Sequence, residues 1–205
     1  MTLEGPEGSG KSSQGQWLAQ TVRRRGYPVT CLRDPGSTRL GRALRQVLLK
    51  SEISLAPLAE ALLFIGGRVQ LVEECIRPAL KKRQVVICDR FHDSTVAYQG
   101  FGGRAEVTGL DRIGRVAIHG MMPDLTLLLD LPPVKGLARL HRTKDRMERK
   151  ARVFHARVRR GYLALARQEP RRFVVIDASQ SPAAVRRHIH TVVVDRLRRS
   201  VISNP

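Results

Sequence analysis

Gly5-Pro6-Glu7-Gly8-Ser9-Gly10-Lys11-Ser12, followed by Ser13, matches the spacing GxxxxGK[ST] in full. Glycines at these places let backbone N–H groups converge on phosphate oxygens, and the helix that follows presents its positive end to them. In such a loop the lysine reaches the β- and γ-phosphates of a nucleotide, and the hydroxyl after it ligates Mg²⁺. Apolar Leu3 lies just before the motif and a helical pattern over 12–25 follows it, which is the setting the motif requires. A chance Gly-rich turn would not bring all four fixed positions into that setting. Residues 5–13 are therefore the candidate ATP-binding loop, with Lys11 as a catalytic cation.

Working outward, short runs rich in branched residues at 29–32, 85–88, 125–129 and 173–176 alternate with helical stretches at 56–82, 111–119, 149–167 and 182–199. Continuous apolar runs of this kind suit parallel strands covered on both faces. Residues 1–3 supply a first strand that is short for a central position. Strand and helix in alternation imply an α/β fold, a five-stranded parallel sheet flanked by helices, formed by residues 1–205 as a single domain. Two stretches interrupt the alternation, 33–38 (RDPGST) and the glycine-containing 101–108. Loops that follow strands gather at the carboxyl edge of such a sheet, where ligands bind.

The chain has 205 residues, 42% of them hydrophobic and 27% charged, which excludes a disordered or collagen-like protein. Its 37 Lys+Arg against 18 Asp+Glu leave a net charge of +19. That excess attracts polyanions without choosing among nucleotides, nucleic acid and anionic surfaces. No run approaches the roughly 20 apolar residues of a membrane span, and the start has no signal-peptide anatomy. Cys31, Cys75 and Cys88 form no metal or CxxC spacing; Cys31 and Cys88, inside apolar runs, are expected to be buried free thiols in a reducing compartment. A cytoplasmic protein is expected.

Asp89-Arg90 follows the run 85–88 directly. A carboxylate at that strand end can hold Mg²⁺ across from the phosphate loop, and Arg90 offers a two-pronged donor for phosphate. Its other reading is a helix cap beside a solvated arginine. No NKxD-type guanine-reading motif is present, and a phosphate-loop protein of this length suits a small kinase.

At this point the chain resembles the thymidylate (dTMP) kinases. The segments that carry the resemblance are GPEGSGKSS (5–13), RDPGSTRLG (33–41), LLFIGGRVQ (62–70), DRFHDSTVAYQG (89–100), PDLTLLLD (123–130), DRMERKARVFHARVRRGYLALA (145–166) and FVVIDASQSP (173–182). The resemblance implies a nucleoside monophosphate kinase fold with a lid over 142–150, Mg²⁺ held at Ser12 and Asp89, a homodimer, and transfer of phosphate from ATP to dTMP on the route to dTTP. It also implies that Phe64 stacks on thymine and Arg68 bonds its carbonyl edge, with Ser94 and Thr95 lining the base pocket. Tyr98 would exclude a 2′-hydroxyl, and Glu7 would approach the 3′-hydroxyl. Asp34 and Pro35 would flank the acceptor phosphate, which Arg90 would grip, and Gln99 would border the acceptor site. Read without the resemblance, Phe64 and Tyr98 could be core aromatics and Arg68 a snorkelling side chain. The chain departs from the family pattern at Asp34, Ser37 and Leu71, and lacks a second acid near Lys150.

The loop has no arginine before Lys11, so a further cation must come from elsewhere. Residues 139–160 hold ten Lys/Arg against two acids. The resemblance implies that this stretch supplies it, since family members without a loop arginine take one from the lid; Arg142, Arg146 and Arg149 are the candidates, and such an arginine is worth about 10³–10⁵ in rate in analogous enzymes. Beyond residue 150, Phe154, Val158, Tyr162 and Leu165 read as a buried stripe, with Arg152, Arg159 and Arg160 left in solvent. Two rival functions remain at this stage. A deoxynucleoside kinase would need a base to deprotonate a hydroxyl. A nucleic-acid-binding protein that keeps the fold would exploit the charge, but aromatics make up only 4% of the chain.

Overall fold

A computed structural model describes residues 1–140, 143 and 145–202, with side chains as far as 198. Strands β1 (Thr2–Glu4), β2 (Val29–Arg33), β3 (Val85–Asp89), β4 (Thr126–Asp130) and β5 (Phe173–Asp177) form one parallel sheet in the order β2-β3-β1-β4-β5. Short β1 is its central strand: Thr2 pairs with Cys88 on one side and Thr126 on the other. Strand order changes direction at β1, so the crevice at its carboxyl end is where this topology binds ligands. The loop 5–10 leaves β1 at that crevice, and Asp89-Arg90 leaves β3 beside it.

Nine helices complete the described residues: α1 (Lys11–Arg23), α2 (Arg39–Arg45), α3 (Pro57–Leu71), α4 (Arg77–Lys81), α5 (His92–Thr95), α6 (Val107–Ala117), α7 (Pro133–Ala138), α8 (Arg152–Gln168) and α9 (Pro182–Ile202). A π-helical turn, Val72–Ile76, joins α3 to α4, giving the long helical run expected over 56–82. Similar turns extend α2 (Gln46–Lys50) and α5 (Val96–Gly102). No helix among the described residues is long and apolar enough to cross a membrane.

Leu127, Leu128 and Leu129 are successive and fully buried, because β4 has a core on each face. One core joins Leu127 and Leu129 to Leu18 and Val22 of α1 and to Val185, Ile189 and Val193 of α9. The other joins Leu128 to the Phe154-Val158-Tyr162-Leu165 stripe of α8.

Four expectations need correction. Cys31 is exposed, because β2 lies at the sheet edge; Cys88, on inner strand β3, is buried. Helix α6 begins at Val107 rather than 111, since the Glu106 carboxylate caps the Thr108 and Gly109 N–H groups at 2.7 and 2.5 Å. Helix α8 begins at Arg152 rather than 149: the Asp145 carboxylate accepts from the N–H groups of Met147 and Glu148 at 2.9 and 3.0 Å and holds 145–150 as a separate turn. Arg159 is not simply solvated. Its Nε and Nη2 each donate to Asp130 at 2.7 Å and tie α8 to the end of β4.

Helix α7 presses its backbone on the phosphate loop. A Cβ on Gly136 would lie 2.1 Å from the Glu7 carbonyl oxygen, and one on Gly8, whose φ is +69°, would lie 2.0 Å from that of Gly136. Gly136→Ala is therefore expected to cost about 1–3 kcal/mol through overpacking, read as a lower urea midpoint at unchanged slope.

Candidate active site

A cavity of about 520 Å³ opens at the carboxyl ends of β1, β2 and β3. Glu7, Gly8, Gly10, Lys11, Ser12 and Ser13 line one end. Asp34, Pro35, Phe64, Arg68, Ser94, Thr95, Tyr98 and Gln99 line the rest, with Asp89 and Arg90 between. Gly5, Pro6 and Ser9 form the inside of the loop instead: the Gly5 and Pro6 carbonyls and the Ser9 hydroxyl accept from Lys11 Nζ at 3.0, 2.7 and 3.3 Å. Burial and the neighbouring Arg90 push the Lys11 ammonium down to about 8, against the opposing pull of Glu7, Asp89 and Glu4. Phosphate oxygens arriving at the loop would favour its charged form.

Ser12 Oγ donates to Asp89 Oδ2 at 2.5 Å, and Arg33 Nη2 donates to Ser12 Oγ at 3.0 Å. The loop hydroxyl and the carboxylate that ends β3 thus meet at one point. Two hard oxygen donors there suit Mg²⁺, which takes few protein ligands and completes its shell with phosphate and water.

Arg90 is the hub. Its φ of +68° turns the chain sharply after β3. Its guanidinium donates to the Gly5 carbonyl (3.2 Å), Glu7 Oε1 (2.8 Å), Ser94 Oγ (3.2 Å), and the hydroxyls of Tyr98 and Tyr162 (both 3.1 Å). Burial alone would raise the Glu7 carboxyl. Arg90, Lys11 and the Tyr98 hydroxyl, which donates to it at 2.6 Å, more than offset that and hold it at about 2. Glu7 is thus an acceptor throughout the neutral range.

Behind Arg90 lies Glu4, fully buried on β1. It accepts from the Phe91 N–H (2.7 Å), Ser94 Oγ (2.6 Å) and the Tyr162 hydroxyl (3.0 Å). Sequence reasoning missed Glu4 and Tyr162. An acid ending a central strand was the available signal for Glu4.

Asp34 and Arg68 form a buried ion pair at the pocket's far end, Nε to Oδ2 at 2.5 Å, and Arg68 Nη2 donates to Thr95 Oγ1 at 2.9 Å. Arg68 Nη1 and Asp34 Oδ1 are buried without a protein partner. Burying such atoms unpaired is costly, so the pair has a donor and an acceptor left for a ligand. Phe64 lines the same wall, half-buried.

Of the candidate arginines of 142–150, neither Arg146 nor Arg149 lines this cavity. Arg142 lies outside the described residues. Arg149 is exposed, 3.5 Å from Glu52. Arg146 turns away to pair with Glu60 and to donate to the Leu48 carbonyl at 2.8 Å. Arg33, Arg45 and Arg139, to which the motif reading gave no site role, do line it. Arg45 Nη1 donates to the Pro35 carbonyl at 3.1 Å and Arg139 Nη1 to that of Ala178 at 3.1 Å. Its place as the first residue of the RDPGST turn was the available signal for Arg33.

The sequence model of thymidylate kinases matches residues 3–189. The chain belongs to the thymidylate kinase family. Members of this family phosphorylate dTMP to dTDP with ATP. A thymidylate kinase of Synechococcus sp. (strain JA-3-3Ab) is 48% identical over 201 residues, 98% of each chain. That of Deinococcus radiodurans is 43% identical over 198, 96% of each. The crystal structure of the thymidylate kinase from Ehrlichia chaffeensis superposes with a TM-score of 0.76 at 32% identity, covering 94% of this chain and 96% of that one. Neither rival, the deoxynucleoside kinase nor the nucleic-acid-binding protein, is favoured by these matches.

Burial and the nearby Asp93 raise the Glu4 carboxyl to about 7 in the fold, against an ordinary value of 4.5. Between those values the folded state binds the extra proton, so the contribution is greatest below 4.5 and is lost as pH rises to 7. Unfolding free energy of the wild type relative to Glu4→Gln should fall over that window by at most about 3 kcal/mol. A pH-independent difference would contradict the assignment.

Proposed function

We propose that this cavity transfers the γ-phosphoryl group of ATP to dTMP, with the triphosphate on the loop 5–13 and the acceptor between Arg90 and Arg68. The observation that carries it is one cavity with a phosphate loop at one end and a half-satisfied Asp34–Arg68 pair at the other. Arg68 Nη1 would donate to a thymine carbonyl, Phe64 would stack on the ring, and Ser94 and Thr95 would close the pocket around it. Tyr98, its hydroxyl fixed on Glu7, would fill the space of a 2′-hydroxyl, leaving Glu7 to accept from the 3′-hydroxyl. Pro35 would border the acceptor phosphate, which Arg90 would grip, Gln99 would border the acceptor site, and Asp34 would stay with Arg68 at the base end. Ser12 and Asp89 would hold Mg²⁺, which neutralises charge on the transferring phosphates. No strong base is required, because the acceptor phosphate is already ionised; positioning and charge stabilisation suffice. Lys11 and Arg90 supply cations from the loop and β3, and the segment 142–150 is the proposed lid. Free cysteines at 31, 75 and 88 support a cytoplasmic setting.

Turnover of dTMP against dUMP, dCMP and dGMP tests this reading. A clear preference for dTMP is expected, and Arg68→Met should cut kcat/KM for dTMP about 10- to 100-fold, the worth of a hydrogen bond to a charged donor. Equal turnover of all four would overturn the acceptor assignment.

A homodimer belongs to the same proposal. Leu58 and Leu62 on α3, one turn apart, are exposed, as are Ile113 and Val116 of the neighbouring α6. At Gly66, the next turn of α3, an added Cβ would meet nothing within 4 Å, so a second α3 could approach closely. Leu62→Arg should convert a sedimenting dimer to a monomer; a variant that stays dimeric would place the seam elsewhere.

A further inference from the structure

We propose that Glu60 is a positioning residue that latches the lid turn 145–150 to the acceptor pocket, and that Arg146 acts through this latch rather than on phosphate. Glu60 is buried on α3, one turn before Phe64 and two before Arg68. Its two oxygens serve two different elements. Oε1 accepts from Gln99 Nε2 at 2.7 Å, in the turn after α5 that lines the acceptor pocket. Oε2 accepts from Arg146 Nη2 of the lid turn.

Arg146 is held at two further points. Its Nε donates to the Leu48 carbonyl at 2.8 Å and its backbone N–H to that of Leu49 at 3.0 Å. With Arg146 anchored outward, its neighbours Asp145, Met147 and Glu148 face the cavity. Asp145 also caps the turn, so the turn moves as a unit with Arg146 as its anchor.

The side chains of Gln99 and Arg146 are thus joined through one carboxylate. A buried carboxylate holds its geometry only while charge-assisted donors satisfy it, so shifting either donor shifts the other. An acceptor that orders Gln99 and the Phe64–Arg68 face of α3 thereby sets the lid turn over the cavity. This inference rests on the acceptor-pocket reading above.

Kinetics with dTMP of Glu60→Gln, Arg146→Ala, Arg146→Lys and Gln99→Ala test the latch. Glu60→Gln keeps an acceptor for Gln99 but turns an amide N–H₂ toward Arg146, breaking only the lid side. It should lower kcat about 10-fold, within the 100-fold that a misplacement of about 1 Å can cost. Arg146→Ala should match it and add nothing in the Glu60→Gln background, while Arg146→Lys should recover most of the rate. The losses in kcat/KM from Arg146→Ala and Gln99→Ala should be non-additive when Glu60 is present and additive when it is Gln. An unchanged or raised kcat in Glu60→Gln would overturn the latch, since it would mean that Arg146 is merely parked or works better when released. Additive losses with Glu60 present would overturn it as well, and this cycle decides alone if thermal melts show Glu60→Gln unfolded. Wild-type acceptor preference is read in the same assay, so a wrong acceptor shows there, whereas a wrong latch shows only in the variants.

Discussion

The half-buried guanidinium of Arg90 joins the parts of this site. It reaches the phosphate loop at the Gly5 carbonyl and Glu7, the α5 region at Ser94 and Tyr98, and α8 at Tyr162. A cation partly withdrawn from water needs an anion and acceptors in return, so losing any of these partners carries a cost that fixes them relative to one another. The left-handed turn at Arg90, of order 1–3 kcal/mol unfavourable for a non-glycine residue, is sustained by that network. Charge then divides by depth. Glu7 at about 2 stays anionic beside the cavity, while Glu4 at about 7 lies behind it.

The phosphate loop was legible because its chemistry is local: glycines, lysine and hydroxyl act within eight consecutive residues. The parallel sheet was legible because strands covered on both faces must be continuously apolar, as Leu127, Leu128 and Leu129 are. Cys31 was misjudged because an edge strand and an inner strand share that composition, and only the strand order separates them. The start of α6 was placed late because its cap is a glutamate, outside the usual capping residues.

Polar pairs between distant segments were the illegible part. Glu4 meets Tyr162 across 158 positions and Arg146 meets Glu60 across 86, and a single sequence has no local periodicity that links them. A run of arginines in 139–160 pointed to cations on the phosphates. The fold directs Arg146 to α3 and Arg159 to β4, leaves Arg139 of that run at the cavity, and brings Arg33 and Arg45 there from outside it. Composition reports how many charges a chain has; tertiary structure decides which of them face a ligand.

The arrangement of loop and acceptor around Arg90 is tested most directly by a crystal structure with dTMP, Mg²⁺ and a non-hydrolysable ATP analogue. The dTMP phosphate should lie on Arg90 with the base between Phe64 and Arg68, the triphosphate in the loop 5–13, and the metal at Ser12 and Asp89. A dTMP phosphate bound away from Arg90, with the triphosphate still in the loop, would contradict it.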